Sequence, residues 1–171
     1  MKDDTYYFHQ TPEQLCKDII SNIVFEPDDI VFEPFSGENN FFKNFPEDIT
    51  KYRCEIEDGL DFKNFDYHGI KPTTILTNPP FRLDTDNGRK NAFFDILMFF
   101  AKTPVKRVIF LCSDYCFGSL TPNRLLKLNN EGLYIHSLTT CSVKKWRGRY
   151  YVITFKREPN IFFNYFLENF E

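Results

Sequence analysis

The 171 residues carry 21 Lys and Arg against 24 Asp and Glu, a formal net charge of -3, so no global positive field draws the chain onto nucleic acid. Any such binding needs a local basic patch. The length suits one domain better than two, and a chain of this size can bury roughly 70% of the surface it exposes when unfolded. The N-terminal MKDDTYYFHQ lacks the apolar core of a signal peptide, and no apolar run reaches the roughly 18 residues of a membrane span, so a cytoplasmic protein is expected. The five cysteines (Cys16, Cys54, Cys112, Cys116 and Cys141) are scattered, odd in number and without a CxxC pair. They read as buried thiols in a reducing compartment, and no metal site is expected.

Thr11-Pro12-Glu13 opens the first helix, with Thr11 suited to the N-cap and Pro12 to the first helical position. Leu15, Ile19, Ile20 and Ile23 continue it as an apolar stripe. Ile30-Val31-Phe32 is a short buried strand that ends in Glu33-Pro34-Phe35-Ser36-Gly37. Residues 52–56 form a second strand with Glu55 near its end. Gly59 to Gly69 reads as loop, and residues 73–77 (TTILT) as a third strand running directly into Asn78-Pro79-Pro80-Phe81. Residues 82–90, rich in Asp, Asn and Gly, read as a loop. Residues 91–102 are apolar and long enough for a helix, 105–112 form a buried strand, and Thr121-Pro122 starts a helix that stops near Gly132. Two last strands, 133–143 and 150–156, flank the basic turn Lys144-Lys145-Trp146-Arg147-Gly148-Arg149.

Short apolar strands alternating with helices predict an α/β fold, a mostly parallel central sheet with helices on both faces. The last two strands predict an antiparallel hairpin at one edge. In such sheets ligands sit beyond the C-terminal ends of the strands. The three polar sequences that start at Glu33, Glu55 and Asn78 each follow a strand directly, so they converge on one site.

Asn78-Pro79-Pro80-Phe81 has a definite chemistry. An exocyclic amine on adenine is a poor nucleophile because its lone pair is delocalised into the ring. The Asn78 side-chain oxygen and the Pro79 carbonyl can accept both amine hydrogens and favour a pyramidal nitrogen. The two prolines stiffen the turn, and Phe81 offers a ring face to a base taken out of its stack. Taken alone, Asn-Pro-Pro also serves as a strand-ending turn.

Thr11-Pro12, Glu33 to Gly37, Cys54-Glu55-Ile56 and Asn78 to Phe81 resemble the ordered motifs of amino-directed class I methyltransferases. The closest pattern is that of adenine-N6 DNA methyltransferases, especially compact phage and viral members. The resemblance spans about residues 7 to 157 and implies a Rossmann-like methyltransferase fold, with S-adenosylmethionine as cofactor. It places Glu33, Pro34, Phe35, Ser36 and Gly37 around the cofactor's methionine part, with Thr11 near its carboxylate. Glu55 would accept from the ribose hydroxyls, and Ile56 would pack on the cofactor's adenine. Asp61 would accept from that ring's amino group, with Phe62 beside it. Asn78, Pro79, Pro80 and Phe81 would hold the target amine. Lys144, Lys145, Trp146, Arg147 and Arg149 would meet nucleic acid, cations for phosphates and aromatics for a base. Structural readings stand beside these: a surface acid for Glu55, a turn residue for Asp61, a helix cap for Thr11 and a solvated tip for the basic turn. Asn39 replaces the motif's usual second glycine, and Asn tolerates left-handed backbone. No stretch is long enough for a separate target-recognition domain, so specificity would be low or come from a partner subunit. An RNA-adenine or protein-glutamine methyltransferase, and a silent nucleic-acid-binding partner, are the alternative functions.

Overall fold

A computed structural model describes residues 10–64, 69, 71–80, 82–85, 88–143 and 146–160, with backbone alone for 82–85 and 88–91. Helix α1 (Glu13–Ser21) precedes strand β1 (Ile30–Glu33), and β2 (Thr50–Arg53) and β3 (Thr74–Thr77) follow. A hairpin, β4 (Arg82–Thr85) and β5 (Gly88–Asn91), leads into α2 (Phe93–Ala101) and β6 (Arg107–Ser113). Then come α3 (Asp114–Gly118), α4 (Pro122–Asn130), β7 (Tyr134–Cys141) and β8 (Tyr150–Lys156). Six strands form one sheet in the order β2-β1-β3-β6-β8-β7. Strands β2, β1, β3 and β6 are mutually parallel, and β8 runs antiparallel to both β6 and β7. The sheet thus has the expected mostly parallel body and C-terminal antiparallel pair.

Alternation along the central strands explains the layers. Phe32, Ile75, Val108 and Phe110 face α2 and α4, whereas Val31, Leu76, Ile109 and Leu111 face α1. Both faces of each strand are therefore buried, which is why the strands are apolar runs rather than alternating ones. Four of the five cysteines are buried, and all five are free thiols. Burial pushes Cys16 and Cys54 up to about 12 and Cys116 up to about 11, so these groups behave as small apolar side chains. Among the described residues no helix is long and apolar enough to cross a membrane, and no cluster of His, Cys, Asp and Glu could hold a metal.

The N-terminal ends of the strands are tied by one buried ion pair. The Asp29 carboxylate accepts from Arg107 Nη2 at 2.6 Å, from the Thr73 and Thr74 hydroxyls at 2.8 and 3.0 Å, and from the Glu26 N–H at 2.9 Å. Arg107 Nε donates to the Thr74 hydroxyl and Nη1 to the Val24 carbonyl. Burial alone would raise the Asp29 carboxyl, but the Glu26 N–H, the Thr73 hydroxyl, the Arg107 guanidinium and the Thr74 hydroxyl together hold it below its ordinary value.

Four elements differ from the sequence expectation. Residues 82–91 form a hairpin rather than a loop, and its register sets Asp84 opposite Arg89 with only two residues between the paired Thr85 and Gly88. Strand β2 begins and ends earlier than residues 52–56, leaving Glu55 beyond it at the start of a 3-10 turn. The five-residue α3 was not expected. Helix α1 starts at Glu13, with the Pro12 carbonyl accepting its first bond, so Thr11 is not the cap.

Asp29→Ala leaves the Arg107 guanidinium buried without its counter-ion, and should lower the unfolding free energy by about 3–5 kcal/mol in urea titrations. Because the folded-state carboxyl is depressed, Asp29 contributes stability above its unfolded value and loses it as pH falls through the acid range. Asp29→Asn should accordingly flatten the acid limb of stability against pH.

Candidate active site

The first two polar loops meet directly. The Glu33 carbonyl accepts from the Cys54 N–H and the Cys54 carbonyl from the Ser36 N–H, so the chain leaving β1 and the chain leaving β2 run together. The Glu55 side chain, 8% exposed, accepts from the Gly37 N–H at 2.7 Å. Arg53 donates to the Ser36 hydroxyl and pairs with Asp58 at 2.9 Å. Gly37 has φ +47, a left-handed conformation that favours glycine, and a Cβ there would displace the end of the Gln10 side chain, whose Oε1 would stand 2.8 Å away. Asn39 adopts φ +65, a left-handed conformation, while its N–H donates to the Ser36 carbonyl at 2.7 Å.

The third loop is joined to the first by residues 10 and 11. Asn78 Nδ2 donates to the Thr11 hydroxyl at 3.2 Å, and Asn40 Nδ2 to the Thr11 carbonyl at 2.8 Å. The Glu38 N–H donates to Gln10 Oε1. Thr11, 6% exposed, therefore spans from the loop after β1 to the turn after β3. Sequence reading missed Gln10 and Asn40, neither of which carries a motif signal.

Glu33 points to the α1 face and is 2% exposed. Burial pushes its carboxyl up to about 9, against the Phe42 N–H and Arg53, which favour the charged form. Glu33 Oε2 and Asn39 Oδ1 are both buried without a hydrogen-bond partner. Two buried acceptors without donors flank one loop, an arrangement that a ligand with N–H groups would complete. Ile56 lies directly after the carboxylate of Glu55 and is 69% exposed, an apolar side chain presented at the strand end.

Other expected residues take plainer positions. Asp61 Oδ1 accepts from the Lys63 N–H, the turn role that was the alternative for it. Phe62 is 5% exposed and packs edge-on to Phe35 at 4.8 Å and to Phe99 at 5.1 Å, a core ring rather than a surface one. Pro34 and Pro79 are buried, and Pro80 is half-buried. Phe81, Lys144 and Lys145 lie outside the described residues. Trp146 packs against Tyr150 with ring centroids 4.6 Å apart and planes tilted by 49°, and Arg147 and Arg149 are exposed. A small apolar groove between Pro72, Ile75, Phe100 and Pro104 lies at the opposite, N-terminal edge of the sheet.

No protein-family model and no curated protein matches the sequence. Solved structures do match the fold. One is a protein assigned as a class I S-adenosylmethionine-dependent methyltransferase from Listeria monocytogenes (TM-score 0.62, 11% identity), covering 91% of this chain and 62% of that one. A second is a protein assigned as a modification subunit of a type I restriction enzyme from Vibrio vulnificus YJ016 (TM-score 0.58, 13% identity, 86% of this chain and 44% of that one). A third is the M protein of the type I restriction enzyme EcoKI (TM-score 0.56, 14% identity, 90% and 45%). The fold is that of class I S-adenosylmethionine-dependent methyltransferases, and the chain spans about half the length of these proteins.

Glu33 titrates above its unfolded value, so its contribution to stability is greatest at acid pH and falls as pH rises from about 4.5 to about 9. Glu33→Gln should gain on the wild type steadily across that window in thermal melts. Parallel stability curves for the two proteins would show that the buried carboxyl is not held neutral.

Proposed function

We propose that the chain transfers a methyl group from S-adenosylmethionine to the N6 amino group of adenine in DNA. The observation that carries this reading is the bond between Asn78 and Thr11, because Thr11 is also bonded to the loop after β1. The target-amine turn and the proposed cofactor loop thereby share one anchor. Support also comes from the switch point: β2 lies on one side of β1 and β3 on the other, and ligands in open α/β sheets bind there.

S-adenosylmethionine supplies a methyl group on a positively charged sulfur. Around it, Glu33 to Gly37 would enclose the methionine part, with the unpaired oxygens of Glu33 and Asn39 facing its ammonium. Glu55 keeps lone pairs beyond the one given to Gly37 and can accept from a ribose diol. Exposed Ile56 would cover the cofactor's adenine, and Asp61 would accept from its amino group. Phe62 would support that wall from within, through Phe35.

At the target, the Asn78 side-chain oxygen and the Pro79 carbonyl would accept the two hydrogens of the amine. This directs the nitrogen lone pair at the methyl and withholds both groups from water. Phe81 would stack on the adenine, and Pro80 would hold the turn. Trp146, Arg147, Arg149, Lys144 and Lys145 would meet the strand. A partner subunit supplying sequence specificity accords with the restriction-modification subunits among the similar folds.

Asn78→Ala should abolish methyl transfer while S-adenosylmethionine still binds in isothermal titration. Mass spectrometry of nucleosides from treated DNA and RNA reads the product directly. N6-methyladenosine from RNA alone would move the substrate to RNA, and activity retained by Asn78→Ala would remove the proposed chemistry. Arg147→Ala with Arg149→Ala should weaken DNA binding and reduce its salt slope by up to about 2.

A further inference from the structure

Thr11 belongs to no helix or strand, yet its neighbours fix it closely. A proline restricts the residue before it to extended backbone, so Pro12 keeps Thr11 out of α1. That helix begins on the Pro12 carbonyl without a side-chain cap, which leaves the Thr11 hydroxyl to other partners. Gln10 Oε1 accepts from the Glu38 N–H at 3.2 Å, and the Thr11 carbonyl accepts from Asn40 Nδ2 at 2.8 Å. Asn40 is braced in turn, its carbonyl accepting from Asn44 Nδ2 at 2.8 Å. Residues 10 and 11 are thus both pinned to the loop after β1. The β-branched side chain of Thr11 is stiff on a backbone held this way, and its hydroxyl accepts from Asn78 Nδ2 at 3.2 Å.

The direction of that bond has a consequence at the far end of the Asn78 side chain. A carboxamide carries its donor and its acceptor on opposite prongs of one plane. Turned end for end, it fills the same space with reversed chemistry. An amine presents hydrogens, so Nδ2 in the place of Oδ1 would set donor against donor at the reacting nitrogen. A hydroxyl can donate as well as accept, but once Oδ1 takes an amine hydrogen the Thr11 oxygen meets Nδ2 only as an acceptor. Thr11 is 6% exposed, so water is a poor replacement for it.

We propose that Thr11 is a positioning residue for Asn78: its hydroxyl holds Nδ2 and thereby turns Oδ1 toward the target amine, with Asn40 fixing Thr11 in place. The inference rests on the methyltransferase reading above and deepens it. It gives Thr11 a task in the transfer step, through Asn78, rather than in holding the cofactor. Removing the hydroxyl leaves Nδ2 without this acceptor and lets the amide turn over, so productive orientations become fewer although substrate and cofactor still bind.

The test uses Thr11→Val, which keeps the shape and removes the hydroxyl, and Thr11→Ser, which keeps the hydroxyl. Steady-state transfer from S-adenosylmethionine to an adenine-containing DNA strand should show kcat at saturating cofactor reduced on the order of tenfold or more in Thr11→Val. Its Kd for S-adenosylmethionine in isothermal titration should shift by less than about threefold, and Thr11→Ser should keep kcat within about threefold of the wild type. Asn40→Ala should lower kcat in the same direction and add nothing to Thr11→Val, because both act through one hydroxyl. A loss confined to Kd, an equal loss of kcat in Thr11→Ser, or multiplying losses in the double variant overturns the proposal. A second readout needs neither cofactor nor substrate. In nitrogen-15 spectra the Asn78 side-chain amide, identified by its disappearance in Asn78→Ala, should exchange with water on the order of tenfold faster in Thr11→Val than in the wild type. Equal exchange in the two proteins also overturns the proposal. Absence of any methyl transfer by the wild type to DNA or RNA would overturn the methyltransferase reading instead, and the exchange comparison would still decide whether Thr11 holds Asn78.

Discussion

The buried pair between Asp29 and Arg107 sets the geometry on which every other feature depends. It binds the start of β6 to the residue before β1, and through Thr73 and Thr74 it holds β3 between them. With the N-terminal ends in one row, the lengths of the strands determine where each loop emerges at the other edge. Strand β1 is four residues long and β6 is seven, so the edge climbs across the sheet. Glu33 and Glu55 occupy the low side, Asn78 the middle and Asp114 with Tyr115 the high side. A loose N-terminal row would let the strands slide, and a one-residue slip exchanges the faces of every side chain on them.

Charge follows the same slope. The low side is acidic: Glu33 ends β1, Glu55 and Asp58 follow β2, and Arg53 is engaged with Asp58. A cationic ligand suits that ground, although burial pushes the Glu33 carboxyl up to about 9. The high side carries exposed Arg147 and Arg149, suited to phosphates. A net charge of -3 averages these two regions and conceals both. The overall balance therefore says little about partners here, and the local distribution says much more.

Much of this was legible in the residues because burial on both faces leaves a plain mark. The runs Ile30 to Phe32, Thr73 to Thr77 and Val105 to Cys112 are apolar and β-branched, and they became β1, β3 and β6 within a residue or two. The hairpin of residues 82–91 was not legible, since its polar sequence resembles a loop and only pairing distinguishes the two. Helix α3 was hidden for a different reason: five residues give too little periodicity to detect. Thr11 shows how one residue can satisfy two signals. It has the chemistry of a helix cap, yet its hydroxyl meets Asn78 across 67 positions of sequence. Phe62 illustrates the reverse, a motif position whose ring the fold uses for its core. Contacts that depend on long-range closure cannot be read from local pattern.

Asn39 joins the backbone and the chemistry of the site. Its φ of +65 reproduces what glycine would supply, and its N–H and carbonyl both bond within the turn that leads to Phe42. The replacement therefore costs the loop little in shape. What it adds is an amide oxygen, buried and without a donor, on the same loop as the unpaired oxygen of Glu33. A buried acceptor left unsatisfied costs about 1–3 kcal/mol, and two of them on one loop make it unfavourable until donors arrive. On the methyltransferase reading, the ammonium of the cofactor brings those donors. On that same reading the departure from glycine exchanges some stability of the loop for added hold on the cofactor.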